Sequence, residues 1–290
     1  MKMVSIIIVN YKDPKDTLSC LVSLNSLSYE EHEIIVVDNG SESDKTSQFI
    51  HANNRVKVIN LVDNSGFASG ANAGIKMARG KYILLLNNDT EVTANMLEPM
   101  VKAMESNDKI GMLSPQIRFF HNKELIQYAG ASNIHPILGR GTKLGYKEKV
   151  SEKYNTSGYT ELCNGACMLI RRHVIEDVGL LPENYFMYYE EHDFTETAKA
   201  LGWKCYYCAE SKVYHKSGGT IGQDSPLRNY YLLRNRLVFQ RKFQNGFSLV
   251  ASLIYHTIVI YPKSFIQAVL KKDRALVESV LKAYSFHIKN

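Results

Sequence analysis

This chain holds a single tryptophan, few cysteines and no stretch of low complexity or internal repetition. Its five cysteines are odd in number and scattered. That suits a reduced, cytosolic protein better than a disulfide framework. The opening MKMVSIIIVNYKD has too short an apolar run for a signal peptide and no small-residue cleavage site. The dinucleotide fingerprint GxGxxG is missing, which disfavours a standard nicotinamide site. A GxxxxGK[ST] phosphate loop is missing too.

What remains is the composition of an ordinary folded protein, 45% hydrophobic and 22% charged over 290 residues. That length suits one large α/β domain or two small ones. The net charge of +6 is unevenly placed: residues 228–290 carry +9, leaving −3 for residues 1–227. A basic end of this kind points to an anionic surface such as a membrane, or to nucleic acid; a solvated basic helix face is the plainer reading.

The first ninety residues alternate strand and helix patterns. Val4–Val9 reads as a strand ending in Asn10 and Tyr11, and residues 14–28 as a helix with Pro14 near its start. Glu33–Val37 is a second strand, ending in Asp38-Asn39-Gly40-Ser41, with a helix expected over 43–52. Val56–Leu61 is a third, followed by a glycine-rich helix start with Gly66, Gly70 and Gly74. Tyr82–Leu86 is an unbroken apolar strand that stops at Asn87-Asn88-Asp89. Such alternation implies right-handed crossovers and a parallel sheet. Each strand ends in a polar cluster, and ligands of open α/β sheets bind outside the carboxyl ends of the strands. The competing reading of Asn87–Asp89 is a plain Asn/Asp turn.

Residues 121–160 are polar and read as a long excursion over that edge; loops of this length are commonly functional. Leu162–Ile170 returns to a strand pattern, then Arg171 and Arg172. Tyr185–Asp193 leads into a short helix, residues 202–208 and 211–215 read as strands, and Lys216–Thr220 as a loop.

The strings VSIIIVNYK, IIVVDNGS, NSGFASGANAGI, ILLLNNDTEV, NGACMLIRR, YFMYYEEHDF, VYHKSGGT and YYLLRNRL stand in order between residue 4 and about residue 245. Together they resemble the inverting glycosyltransferases of family 2, and among them bacterial rhamnosyltransferases of O-antigen, capsule or cell-wall assembly. The resemblance implies a GT-A fold: an α/β, Rossmann-like, mostly parallel sheet flanked by helices. It implies a transferase domain over 1–245, leaving 246–290 as a helical extension. By it, Asn10, Tyr11 and Asp38 line the nucleotide pocket, and Gly66, Phe67, Asn72 and Asn88 shape the donor site. Asp89 takes the place of the metal-holding aspartate of the DxD motif, which here reads Asn87-Asn88-Asp89, so one carboxylate remains. One or two carboxylates plus substrate phosphates suffice for magnesium, and His215 matches a further ligand. Mg2+ or Mn2+ is the implied cofactor. Glu191 aligns with the catalytic base, with Asp193 as its rival, because an acceptor hydroxyl needs a carboxylate to take its proton. Acids at a helix start are also favoured electrostatically, whatever their role. Asn164, Gly165, Glu190 and Trp203 are expected on the acceptor side. Thr197 stands where relatives often carry arginine.

Other features divide between readings. Cys163, Cys167, Cys205 and Cys208 invite a zinc site, but lie within apparent strands whose alternation scatters ligands. Trp203 can stack on a sugar or fill the core; Arg171 and Arg172 can face phosphate or solvent. The run FSLVASLIYHTIVIY is interrupted by His256, stopped by Pro262, and shorter than the roughly 20 residues that span a bilayer. With Phe265–Leu270 and nearby lysines it suggests an interfacial helix pair; packing on protein, including a second copy in a homodimer, is the alternative.

The reading is an inverting, metal-dependent hexosyl or deoxyhexosyl transferase, with rhamnose favoured. It uses a dTDP- or UDP-linked sugar and a lipid-linked saccharide acceptor, peripheral at the cytoplasmic face of the cell membrane, with no nucleic-acid partner. The alternatives are a non-catalytic nucleotide-sugar or glycan binder of the same fold, or a sugar nucleotidyltransferase; the latter lacks a glycine- and basic-rich triphosphate loop near the N-terminus.

Overall fold

The computed structural model describes residues 2–41, 45–217, 222 and 225–289. The start expected for the second helix and the end of the loop expected at 216–220 lie outside those residues. The chain divides into two compact units: residues 1–132, 143–186 and 190–220, and residues 133–142, 187–189 and 221–290. Residues 226–243, expected within the transferase domain, therefore group with the tail.

The first unit is built on one sheet. β1 (Val4–Asn10), β2 (His32–Asn39), β3 (Val56–Leu61) and β4 (Tyr82–Leu86) alternate with α1 (Lys15–Leu24), α2 (Thr46–Ala52) and α3 (Phe67–Met77). β5 (Thr90–Val92), α4 (Leu97–Ser106), β6 (Ile110–Phe119), β7 (Asn122–Tyr128), β8 (Gly158–Thr160), β9 (Cys167–Arg171), α5 (Arg172–Val178), α6 (Glu190–Ala200) and β10 (Lys204–His215) follow. The sheet order is β3-β2-β1-β4-β9-β6-β10-β5. β1 pairs in parallel with both β2 and β4, so the chain order reverses direction across β1 and β4. That is a topological switch point, where the crevice outside the strand ends receives a ligand.

The four opening strands form where apolar runs predict them; β1, β2 and β4 are buried on both faces, while β3, at the sheet edge, is buried only at Val56. The excursion over 121–160 is not all loop. β7 folds back on β6, and β8 pairs with β10. The two strands expected over 202–215 are one, with a register shift between Cys208 and Lys212. β5 is three residues long and pairs antiparallel with β10, joining His215 to Thr90.

Gly66, before α3, has a φ of +93° that side-chain-bearing residues rarely adopt. A Cβ there would stand 2.3 Å from the Phe186 carbonyl oxygen. The Phe67 amide donates to that same oxygen at 2.7 Å.

In the second unit, α7 (Pro226–Phe243) packs with α9 (Tyr261–Leu270) and α10 (Arg274–Lys289) through Leu233, Leu237, Tyr261, Val280 and Ala283. Pro262 does not stop the helix begun by α8 (Gly246–Tyr255). A π-type turn over His256–Ile260 carries it on, and the Tyr261 amide bonds to the His256 carbonyl. A wider turn suits a proline, which has no N–H to place. The result is one helical stretch from Gly246 to Leu270, 25 residues, long and apolar enough by length and composition to cross a membrane.

Gly202 also has a φ of +93°, but open space around its would-be Cβ. Gly66→Ala is expected to cost several kcal/mol in urea unfolding, against about 1 kcal/mol for Gly202→Ala, which bears only the left-handed strain. Equal losses would show that the approach to Phe186 contributes nothing.

Candidate active site

The carboxyl ends of β1, β2 and β4 are held level by a chain of hydrogen bonds. Asn10 Nδ2 donates to Asp38 Oδ1 at 3.0 Å, Thr17 Oγ1 donates to Asn10 Oδ1 at 2.6 Å, and Asn88 Nδ2 donates to Thr17 Oγ1 at 3.1 Å. All four side chains are buried. Ser41 closes the chain by donating to Asp38. Tyr11 is only partly buried, beside the Lys12 ammonium, 5.2 Å from its ring centre. Asn39 acts alongside: its amide donates to the Gly66 carbonyl at 2.9 Å and to Asn64 at 3.1 Å. Thr17, Asn39 and Ser41 were not among the expected residues. The only sequence signal for Asn39 and Ser41 is their place in the polar cluster that ends β2; Thr17 lies in α1, where nothing marks it.

Asp89 follows β4, and His215 ends β10. The β5–β10 pairing brings His215 Nε2 to 3.0 Å from Asp89 Oδ1. His215 Nδ1 faces Gln127 Oε1 at 2.8 Å. A carbonyl oxygen there makes Nδ1 the donor, which leaves Nε2 as the ring atom that faces Asp89. Gln127 lies in the excursion, and nothing in its local sequence marks it. Among the described residues no cluster of three or more His, Cys, Asp or Glu forms a metal site. A carboxylate and an imidazole that converge on one point fit a divalent cation that takes its remaining ligands from substrate oxygens and water.

Glu190 and Glu191 open α6, where the helix dipole favours acids. Gly165 lies against Glu191: a Cβ there would stand 3.4 Å from Glu191 Cγ. The neighbouring Ala166 carbonyl accepts from the Asn87 amide at 2.9 Å. One short turn, shaped by Asn164 Oδ1 accepting from the Ala166 amide, thus touches both the strand end that carries Asp89 and the Glu191 carboxyl.

The two glutamates differ in protonation. Burial, then the adjacent Glu191 charge, pushes the Glu190 carboxyl well above the usual range. Burial also acts to raise Glu191, but the His192 imidazolium, 3.2 Å away, outweighs it, aided by backbone N–H and Lys143. The two adjacent carboxyls are therefore pushed in opposite directions, Glu190 up and Glu191 down. Glu191 Oε2 is buried without a hydrogen-bond partner among the described residues.

Several expected site residues have other work. Asp193 is buried and accepts from the Tyr185 hydroxyl at 2.8 Å, with Thr197 Oγ1 donating to its carbonyl at 2.8 Å. Its carboxylate braces the loop before α6. Asn72 is buried and holds the 181–183 segment, donating to the Leu181 carbonyl and Glu183 and accepting from the Leu181 amide. Trp203 precedes β10, whose start is level with the start of β6, the sheet edge opposite Asp89. There it packs on the core and donates to Asp177 at 2.9 Å, so acceptor stacking at this site is excluded. Arg171 and Arg172 face neither phosphate nor solvent. They donate to backbone carbonyls of Met104 and Ile110, and of Ala78 and Gly80. The cysteines are buried; burial pushes the Cys20 thiol up to about 12 and Cys208 to about 11, and keeps them protonated.

The raised Glu190 has a thermodynamic signature. Unfolded, it ionises near the ordinary value of about 4.3; folded, it keeps its proton to higher pH. Its contribution is therefore complete below that value and is lost as pH rises toward the folded value, by up to about 1.4 kcal/mol per pH unit. Glu190→Gln should flatten that loss, read as the difference between the two pH–stability curves; superimposable slopes would show that Glu190 ionises normally.

This chain is similar to known glycosyltransferases in sequence and in fold. The low-salt glycan biosynthesis hexosyltransferase of Haloferax volcanii is 29% identical over 199 residues, 67% of this chain and 61% of that protein. The poly-beta-1,6-N-acetyl-D-glucosamine synthase of Staphylococcus epidermidis is 27% identical over 209 residues, 69% of this chain and 45% of that protein. The chain thus spans less than two thirds of either relative. Among solved structures, a mannosyltransferase from Pyrobaculum calidifontis in complex with GDP-Man and Mn2+ superposes with a TM-score of 0.59 at 11% identity, covering 99% of this chain and 75% of that one. GalNAc-T7 with UDP, GalNAc and Mn2+ gives 0.64 at 16% identity, covering 98% and 55%. The fold is GT-A, a central mixed sheet flanked by helices with a helical C-terminal region. Residues 5–179 match the profile described as glycosyl transferase family 2, and the chain belongs to that family.

Proposed function

We propose that this chain transfers a hexose or deoxyhexose, rhamnose by preference, from a nucleoside-diphosphate sugar to a hydroxyl of a growing, lipid-linked polysaccharide, inverting the anomeric carbon. The observation that supports this best is the Glu191 carboxylate. It is ionised, partly buried, has an oxygen without a partner, and shares a turn with the strand end that bears Asp89. In this reading Glu191 takes the acceptor proton as the hydroxyl attacks the sugar carbon. Displacement in one step from the face opposite the leaving group inverts that carbon.

Asn10, Asp38 and Ser41 present polar groups to base and ribose at the switch point, and Gly66 leaves backbone space beside the diphosphate. Asp89 and His215 would hold Mg2+ or Mn2+, with Gln127 fixing the imidazole. When bound, the cation stabilises the charge of the departing diphosphate. Glu190, whose proton burial holds to higher pH, can donate a hydrogen bond to the acceptor.

The second unit supports a peripheral place on an anionic cytoplasmic membrane face. Ser252 and His256 point inward, with the Ser252 hydroxyl donating to the Ile137 carbonyl at 3.0 Å. The apolar side chains of the same helix point outward, so it lies on a bilayer rather than through it.

Glu191→Gln should lower transfer about 10²–10⁴-fold while nucleotide-sugar affinity stays near that of the wild type; turnover close to wild type would remove Glu191 as the base. Gln127→Ala should weaken Mn2+-dependent donor binding about 10–100-fold, and Asp89→Ala at least as much. Titration of donor with and without Mn2+ checks both, and an unchanged metal dependence in Asp89→Ala would end its assignment.

A further inference from the structure

The second unit contains a cavity of about 400 Å³, within the ~300–1,000 Å³ of small-ligand clefts. It opens at the amino end of α7, an 18-residue helix capped by Ser225, which accepts from the Arg228 amide at 3.2 Å. Arg228, Ser264, Gln267 and Lys271 bring donors to its wall. Among the described lining residues Arg228 and Lys271 are the charged ones, and both are cationic. Two cations, neutral donors and the positive end of a long helix together complement a compact dianion.

The far wall joins another surface. Leu270 lines the cavity and is 76% exposed. It ends a stripe of Phe247, Val250, Ile254, Ile258, Ile266 and Leu270 along one helix, all more than half exposed. Lys263, Lys272 and Lys282 lie exposed on the same unit. A cationic cavity continuous with an apolar stripe matches a molecule with a phosphate at one end and hydrocarbon at the other.

We infer that this cavity takes the phosphomonoester headgroup of a membrane lipid, with the apolar stripe lying among the acyl chains beside it. The inference rests on the reading that this unit meets an anionic bilayer, and adds to it a headgroup preference that diffuse charge alone does not give. Arg228 and Lys271 hold the phosphate oxygens, while the other lysines contribute only general attraction.

The test compares the full chain on two vesicle types of equal surface charge in phosphatidylcholine, one carrying phosphatidic acid and the other oleate, whose charge is a carboxylate. Wild type should bind the phosphatidic acid vesicles more tightly. Arg228→Gln with Lys271→Gln should erase that preference, lowering phosphatidic acid binding about 25-fold, or about five-fold per cation at ~1 kcal/mol each. Lys282→Gln should lower binding to both vesicles alike, and Arg228→Lys should retain most of the preference. A wild type that binds the two equally, or a double variant that loses both equally, would overturn the headgroup site. So would inorganic phosphate that raises the melting temperature of wild type but not of the double variant while wild type binds the two vesicle types equally, since the cavity would then serve free phosphate. Ile254→Ser with Ile258→Ser reads the bilayer contact separately: it should weaken binding to both vesicles, and full retention would overturn the membrane reading itself. Transfer to a soluble acceptor should be the same in all of these variants, which separates either failure from a failure of the catalytic assignment.

Discussion

The buried polar chain Asp38–Asn10–Thr17–Asn88 is the constraint on which the rest of this molecule depends. Four polar side chains, removed from water, must find one another. They come from the ends of β2 and β1, from α1, and from the residues after β4. Satisfying them fixes where three parallel strands stop and sets the floor of the crevice. Asp89 follows Asn88 directly, so the carboxylate proposed to meet a cation is positioned by hydrogen bonds that it does not itself make.

A second set of contacts closes the site from the other side. Asn72 and the Phe67 amide on α3 grip the 181–186 segment, and Asp193 holds Tyr185. This orders the chain just before α6 and therefore the place where Glu190 and Glu191 begin. Their opposite shifts follow: two carboxyls side by side in a poorly hydrated place resist ionising together, and His192 favours the charge on Glu191.

The parallel strands and their polar ends were legible because each signal is local: an apolar run, then Asn or Asp. Glu191, Asp89 and His215 were singled out through resemblance over ordered blocks, and the fold does bring Asp89 and His215 together. What could not be read were residues whose role depends on distant partners. Gln127 matters because β7 folds back on β6 and delivers it to His215, a pairing that no short pattern encodes. Trp203 shows the reverse: an aromatic invites a sugar, yet strand register puts it on the wrong edge. Pro262 looked like a stop because the rule for prolines assumes an α-helix, and the wider turn before it relaxes that rule.

That wider turn also bears on how this segment tolerates changes in length. An α-helix advances about 100° per residue, so one extra residue normally rotates everything beyond it away from its partners. Confined to a π-type turn over His256–Ile260, the surplus is absorbed locally. Tyr261 and Ala268 remain on the side of Ser252 and His256, while Ile266 and Leu270 stay aligned with Ile254 and Ile258. The turn has the form of a one-residue insertion that left both faces in phase. Removing a single residue there would restore a continuous α-helix with its faces unchanged, whereas the same deletion elsewhere in the segment would throw one half out of register with the other.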